Sequence, residues 1–320
     1  MQNLMDGLRN GNQKPGKGII KKGTLDIGVV ETTPVVWKDR LYRFEWIRNN
    51  EWGGGYWNNK TNHGYFRFTD METEEVTPTF GVDYSFGSAF IERTPEGETA
   101  YVYGIRGKGG GNRLDVFWSE DLKNWETKKV FEFPESWSLF NSSVCKGKDG
   151  YVMALEIGSP KEICGAPFTI VFAESKNLID WVMMPVEDHI YTKERYSACP
   201  VIRFVEDWYY IIYLEGIPGY RWVPYIVRTQ DFVNFEMGIK NPVMFFNDED
   251  KIVQRPEKFS ADQLAYIENA VNSNNSDIDL CDFNGKTVIL YSWGNQLGKE
   301  FLAEAEYDGP MDEFLKSFFN

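Results

Sequence analysis

A nine-residue pattern returns three times in this chain at nearly constant spacing. Trp118 to Glu126, Glu174 to Val182 and Arg228 to Glu236 each pass from a polar pair through Asp or Asn and an apolar residue to an aromatic. Asp and Asn bind their own backbone in turns, and aromatics favour a pleated surface, so the pattern reads as strand, tight connection, strand. Asp121, Asn177 and Asp231 lie 56 and 54 residues apart, and a looser copy closes at Asp70. A period that steady means one supersecondary unit copied along the chain, each copy burying a face against the next.

Hairpins fill the period. Val35-Val36-Trp37 turns at Lys38-Asp39 into Leu41 to Trp46, and Ala89-Phe90-Ile91 turns at Pro95-Glu96-Gly97 into Ala100 to Ile105. Ser143-Val144-Cys145 turns at Asp149-Gly150 into Tyr151 to Glu156, and Pro200-Val201-Ile202 turns near Glu206-Asp207 into Trp208 to Glu215. Asp279-Leu280-Cys281 turns at Asn284-Gly285 into Thr287 to Trp293. Asp-Gly and Asn-Gly are strong hairpin signals because both turn positions need positive φ. A third apolar run follows each hairpin, at Tyr65, Val116, Ile170, Tyr225 and Leu302. Val36, Ile91, Cys145, Ile202 and Cys281 are spaced by 55, 54, 57 and 79 residues. Five antiparallel units repeated radially make an all-β, five-bladed β-propeller. The long last spacing holds a polar insertion, about 254–275, in which Leu264, Ile267 and Val271 keep helical period behind a Ser260 N-cap. Met311 to Phe319 predicts a second short helix.

The domain assignment is a polar segment, 1–24, followed by one propeller domain, 25–320. The formal charge of −14 repels nucleic acid and anionic membrane, which leaves a neutral small-molecule partner as the better match. No run approaches the roughly 18 apolar residues of a membrane helix. Met1 to Lys22 contains no apolar core of signal-peptide length, and the compartment stays open. Cys145, Cys164, Cys199 and Cys281 form no close pair and, with His63 and His189 the only imidazoles, give no zinc pattern; buried thiols are expected.

In a propeller the innermost strands converge on the axis, so the residues leading into them share one funnel. Those segments carry Glu31, Asp83, Asn141, Glu194 and the pair Asp277 and Asp279. A carboxyl to protonate the leaving oxygen and a carboxylate opposite it are what glycosidic cleavage requires. Equivalence between units selects Glu31, Glu194 and Asp277 as catalytic candidates. Glu156 and Glu215, near the ends of second strands, are a further set, with Arg106 and Arg195 as salt-bridge partners in the structural reading. The loop from Arg48 to Tyr65 strings Trp52, three glycines, Trp57 and His63 behind Trp46. Aromatic faces and amides of that kind bind sugars, or else the rings cover the sheet. Trp46, Trp52, Trp57, His63, Arg106, Asn141, Glu156, Arg195, Glu215, Asp279 and Trp293 are the substrate-binding candidates. The Gly-rich run from Gly107 to Gly111 precedes a strand rather than a helix, so it reads as a turn and not a phosphate loop. His189 is expected to bond within its own loop.

The Ser-x-Asp-Leu-x-Asn-Trp-Glu turn at Ser119 to Glu126, the Pro-Val-Ile strand start at Pro200 to Ile202 and the five units resemble the five-bladed β-propeller glycoside hydrolases. That superfamily holds families 43, 32, 68 and 117, and the resemblance spans roughly residues 25 to 307. It implies action on arabinose-, xylose-, galactose- or fructose-containing glycans by an acid and a base in the central funnel, with no required cofactor. Some relatives hold calcium or another ion on the axis. Three positions depart from the family's pattern: Thr33 precedes Pro34 with Glu31 the nearest acid, Asn141 stands where an Asp modulates the acid, and Cys199 precedes Pro200, with Glu194 six residues upstream of it. The expected roles are Glu31 or Asp277 as base and Glu194 as acid, against the alternative of a propeller that binds sugar without cleaving it. A protein-interaction propeller is the third and least favoured reading.

Overall fold

The computed structural model describes residues 18–48, 64–107 and 110–320. The architecture is a β-propeller, and the described residues form five antiparallel units. Blade one is β2 (Val30–Trp37), β3 (Arg40–Ile47) and β4 (Tyr65–Asp70). Blade two is β5 (Tyr84–Thr94), β6 (Gly97–Arg106), β7 (Arg113–Ser119) and β8 (Glu126–Glu132). Blade three is β9 (Ser138–Lys146), β10 (Tyr151–Ser159), β11 (Thr169–Ser175) and β12 (Trp181–Met183). Blade four is β13 (Ala198–Val205), β14 (Trp208–Ile217), β15 (Arg221–Thr229) and β16 (Phe235–Met237). Blade five is β17 (Asn274–Phe283), β18 (Lys286–Gly294) and β19 (Glu300–Tyr307).

Blade five takes its fourth strand from the start of the chain: β1 (Ile19–Ile27) pairs antiparallel with β19. The boundary at residue 24 is therefore corrected, because it cuts through a strand that the sheet needs. The helical expectations hold. Helix α2 (Ala261–Glu268) in the insertion starts at a Ser260–Gln263 capping box, and α3 (Met311–Lys316) follows Pro310. A four-residue helix, α1 (Lys161–Cys164), has no counterpart in the sequence reading. No helix among the described residues is long and apolar enough to cross a membrane.

The repeated pattern is the connection between third and fourth strands. Asp121 accepts the amides of Lys123 and Asn124, Asn177 those of Ile179 and Asp180, and Asp231 those of Val233 and Asn234. The apolar residue after each, Leu122, Leu178 and Phe232, is buried with φ of 58°, 66° and 60°. Burial of that side chain in the crevice between blades offsets the left-handed backbone.

The first strands β2, β5, β9 and β13 are sheet edges that line the axis, and this is why Pro34 and Pro200 can sit in β2 and β13; β17 lines it too, but a parallel bridge between Trp222 and Asn274 joins it to β15, so blades four and five form one eight-stranded sheet. A ring of side-chain bonds ties these edges together. The Ala89 amide donates to Thr33 Oγ1 at 3.4 Å, Ser88 and Ser142 hydroxyls meet at 3.1 Å, and the Ile202 amide donates to Ser143 Oγ at 3.2 Å. Arg203 pairs with Asp279, whose strand β17 packs directly against β2 and so closes the circuit. Each step crosses from one blade to its neighbour.

Candidate active site

Just above that ring, the axial strands break register. The pairing jumps from Val30 to Thr33, Ser85 to Ser88, Ala198 to Val201 and Ser276 to Asp279. Each jump is a β-bulge whose first residue has positive φ: Glu31 at 55°, Phe86 at 52°, Cys199 at 50° and Asp277 at 51°. A bulge re-aims the side chain it carries, and left-handed backbone at a bulky residue is strain held in place by its surroundings. In β9 the irregularity falls between Leu139 and Ser142. The same local device thus places Glu31, Asn141, Cys199 and Asp277 at the head of the axis.

They meet there. Asn141 Nδ2 lies 3.3 Å from Glu31 Oε1, 3.1 Å from Glu156 Oε2 and 3.5 Å from Cys199 Sγ. The Cys199 amide donates to Glu156 Oε2 at 2.7 Å, and Ser276 Oγ donates to Asp277 Oδ2 at 2.9 Å. Glu31, Asn141, Cys199, Asp277 and Asp279 line one small pocket of about 30 Å³, while Glu156 lies beneath it, 2% exposed. Glu31 Oε2 is buried with no hydrogen-bond partner among the described residues.

Burial, reinforced by the charge of Asp277, pushes the Glu31 carboxyl well above the usual range, against the pull of Arg48 and Asn141. Burial also raises Asp277, and lifts Glu156 to about 7 in spite of its bonds to Cys199 and Asn141. Three carboxyls in one desolvated site cannot all be ionised, so the cluster holds protons at neutral pH. That combination, a carboxylic acid beside a carboxylate, is suited to general acid/base work. The Cys199 thiol is raised by burial and by the neighbouring carboxylates, which makes it a poor nucleophile.

The other candidates fall elsewhere. Glu194 is exposed in the loop before β13, its amide bonded to Thr192, and it is not part of the pocket lining. Glu215 belongs to a separate cluster between blades three and four, with Arg195 at 3.4 Å and the Tyr213 hydroxyl at 3.3 Å; burial lifts it to about 7. The Arg195 partner read from sequence is thus found. Arg106 is exposed at the end of β6, and Asp279 serves the axial ring. Trp46 and Trp293 are fully buried, Trp46 packed on Phe86 at 4.9 Å and Trp293 stacked on Phe301 at 4.2 Å. Neither can present a face to a ligand, which corrects the expectation for both. Trp52, Trp57 and His63 lie outside the described residues, as do Lys108 and Gly109. His189 bonds Pro185 O in its own turn, and all four cysteines are free. Cys199 had no signal as a site residue except its position before Pro200. No group of three or more His, Cys, Asp or Glu among the described residues is arranged to hold a metal. The ion that the resemblance implies has no such cradle here, and no step below uses one.

No family model and no curated protein matches this sequence. Solved structures do match its fold. One described as "Glycoside hydrolase" aligns with a TM-score of 0.60 at 14% identity, over 97% of this chain and 96% of that chain. Another, an RGII complex of BT0996, gives 0.58 at 14% identity over 97% and 96%. The fold is that of the glycoside-hydrolase propellers. An α-L-arabinofuranosidase from Lactobacillus brevis shares it, with a TM-score of 0.55 at 10% identity over 89% of this chain and 93% of that chain. Within this propeller fold, the carboxyl cluster of the present protein occupies the head of the axis, where the leading strands of the blades converge.

Proposed function

We propose that this protein is a glycoside hydrolase that cleaves a glycosidic bond in an oligo- or polysaccharide, with Glu31 and Asp277 as its acid/base pair. One observation carries the reading: carboxyls from blades one and five converge on one axial pocket over a third, buried carboxyl, in surroundings that keep part of the set protonated. Asn141 bridges Glu31 to Glu156, so Glu156 acts from below on the proton affinity of Glu31 and need not touch substrate. Burial and the charge of Asp277 together hold the proton on Glu31, which suits Glu31 to the acid that protonates the leaving oxygen and leaves Asp277 as the base. Glu194 is exposed in the loop before β13 and does not line the pocket. The glycoside hydrolases among the structural neighbours, and the RGII complex, support a carbohydrate as ligand.

The test is turnover of a panel of aryl glycosides and plant glycans by wild type, Glu31→Gln, Asp277→Asn and Glu194→Gln. Each of the first two substitutions is expected to lower kcat at least about a hundredfold while sugar binding persists. Loss of activity in Glu194→Gln alone would move the acid out of the axis. A second reading, sugar binding without turnover, is favoured by Asn141 and Cys199, which bring no carboxylate to two of the axial positions. Wild-type binding with no cleavage of any glycan would establish it.

A further inference from the structure

A row of aromatic side chains stands close to Asn141 and Cys199, on blades three and four. Phe140, next to Asn141, meets Phe168 edge-to-face at 4.9 Å, and Phe168 meets Tyr196 at 5.3 Å in the same manner. All three rings are half-buried, with part of each open to solvent. Tyr196 lies three residues before Cys199, in the segment that leads into β13, as Phe140 lies beside Asn141 in β9. Beyond it stands Trp222, on the far side of Gly216: a Cβ added to Gly216 would lie 3.9 Å from the Tyr196 Cβ and 3.7 Å from the Trp222 Nε1. Trp222 in turn packs against Tyr220 at 4.2 Å, and Tyr220 is 56% exposed at the tip of the β14–β15 hairpin.

The backbone beneath these rings is arranged at a cost. Phe168 has φ of 60° and Tyr220 has φ of 57°, a region where bulky side chains are strained and glycine is at ease. Neither lies in the repeated turn that accounts for Leu122, Leu178 and Phe232. Phe168 is held there by its carbonyl, which accepts the Ser197 amide at 2.9 Å and the Ser197 hydroxyl at 3.3 Å. Space is kept for it as well, since a Cβ on Gly158 would come within 2.7 Å of Phe140 and 3.1 Å of Phe168. Strain that surroundings maintain at two aromatics, Phe168 half-buried and Tyr220 exposed, near a catalytic candidate is a mark of function. Rings in such a row stack on the C–H faces of sugars one after another.

We propose that Phe140, Phe168, Tyr196, Trp222 and Tyr220 form an aromatic track that leads out of the axial pocket across blades three and four and binds successive residues of an oligosaccharide. The inference rests on the hydrolase reading for its direction, with the scissile sugar in the pocket and the remaining sugars on the track. It makes the natural substrate an oligosaccharide of at least three sugars.

The experiment uses full-length wild type, Trp222→Ala and Tyr220→Ser with arabino-, xylo- and galacto-oligosaccharides of two to six residues, followed by calorimetry, and with the matching nitrophenyl monosaccharides, followed by release of nitrophenol. Wild-type affinity is expected to rise with chain length from two to at least four residues in one of the series. Trp222→Ala should reduce affinity for the tetramer about tenfold, at least five times more than it affects the monosaccharide's kcat/KM. Tyr220→Ser, whose exposed ring contributes little to folding, gives the same sign even where Trp222→Ala unfolds. Affinity that does not depend on length, or that survives both substitutions, overturns the track, and so does wild type that binds no member of the three series. Length-dependent binding lost in the variants, with no oligosaccharide of any series cleaved by wild type, supports the track and sinks the hydrolase reading instead.

Discussion

Glu156 is a carboxyl that its surroundings keep neutral, and the sign of its effect on folding follows. Its ordinary value of about 4.3 in an unfolded chain rises to about 7 in the native state, so between those limits the native protein holds the extra proton. Its favourable contribution is present in full below about pH 4 and is lost as pH climbs through 7. Glu156→Gln, which can still accept the Cys199 amide, is therefore expected to stabilise the protein at pH 8 by on the order of 1 kcal/mol and to do nothing of the kind at pH 4. Urea unfolding at the two pH values checks this, and a gain that is larger in acid would contradict the assigned protonation. Glu31, Asn141 and Asp277 were legible because each leads into a first strand of its unit, where position alone selects the axis. Glu194 was misplaced because the loop before β13 carries it outward and the bulge puts Cys199 in the inner place. Trp46 and Trp293 show the limit at this scale: a tryptophan under a sheet and one over a pocket have the same neighbours in sequence, and only burial separates them.

At the scale of elements, the repeat in the sequence proved to be a turn with a single chemistry. Asn177 Oδ1 accepts two backbone amides, at 3.0 and 2.8 Å, in the manner of a cap. Asn177→Ala should cost about 1 kcal/mol of stability with no change in turnover, read from the shift of a denaturant midpoint. The bulge in β5 is less forgiving. A Cβ at Gly87 would stand 2.6 Å from Phe44 and 2.8 Å from Phe66, both fully buried. Gly87→Ala is expected to cost about 1–3 kcal/mol through overpacking between blades one and two, and a variant as stable as wild type would show that the blades can part there. The five hairpins, the third strands and both terminal-half helices were read correctly because turn residues and period mark them locally. The bulges were not, since one extra residue in a strand leaves no pattern of its own; yet they are what converts five ordinary strands into a site.

At the scale of the whole molecule, the propeller is closed by β1 on β19, and a buried ion pair anchors that closure. Lys21 Nζ is held by Asp250 Oδ1 at 2.6 Å, Phe245 O at 2.8 Å and Asn275 Oδ1 at 3.0 Å. Asp250 also accepts from the Tyr291 hydroxyl at 2.8 Å and from Asn272 Nδ2 at 2.8 Å, and it is completely buried. Lys21→Met strands that carboxylate and should cost about 3–5 kcal/mol, part of which Asp250→Asn restores in the double variant. Thermal or urea unfolding of the four proteins measures the coupling. From the sequence, residues 1–24 read as a polar segment outside the propeller domain; the partners of Lys21 and Lys22, Asp250 and Glu306, lie far along the chain, where no local signal points. The Trp293 indole meets the Thr24 hydroxyl across 269 residues. The two strands whose pairing closes the ring, β1 and β19, stand at opposite ends of the domain in sequence, so this contact closes the largest loop in the fold and belongs to the slow class of strand pairings. A strand that must pair so far along the chain is an edge until it does, and lysines on such a strand disfavour pairing with a wrong neighbour.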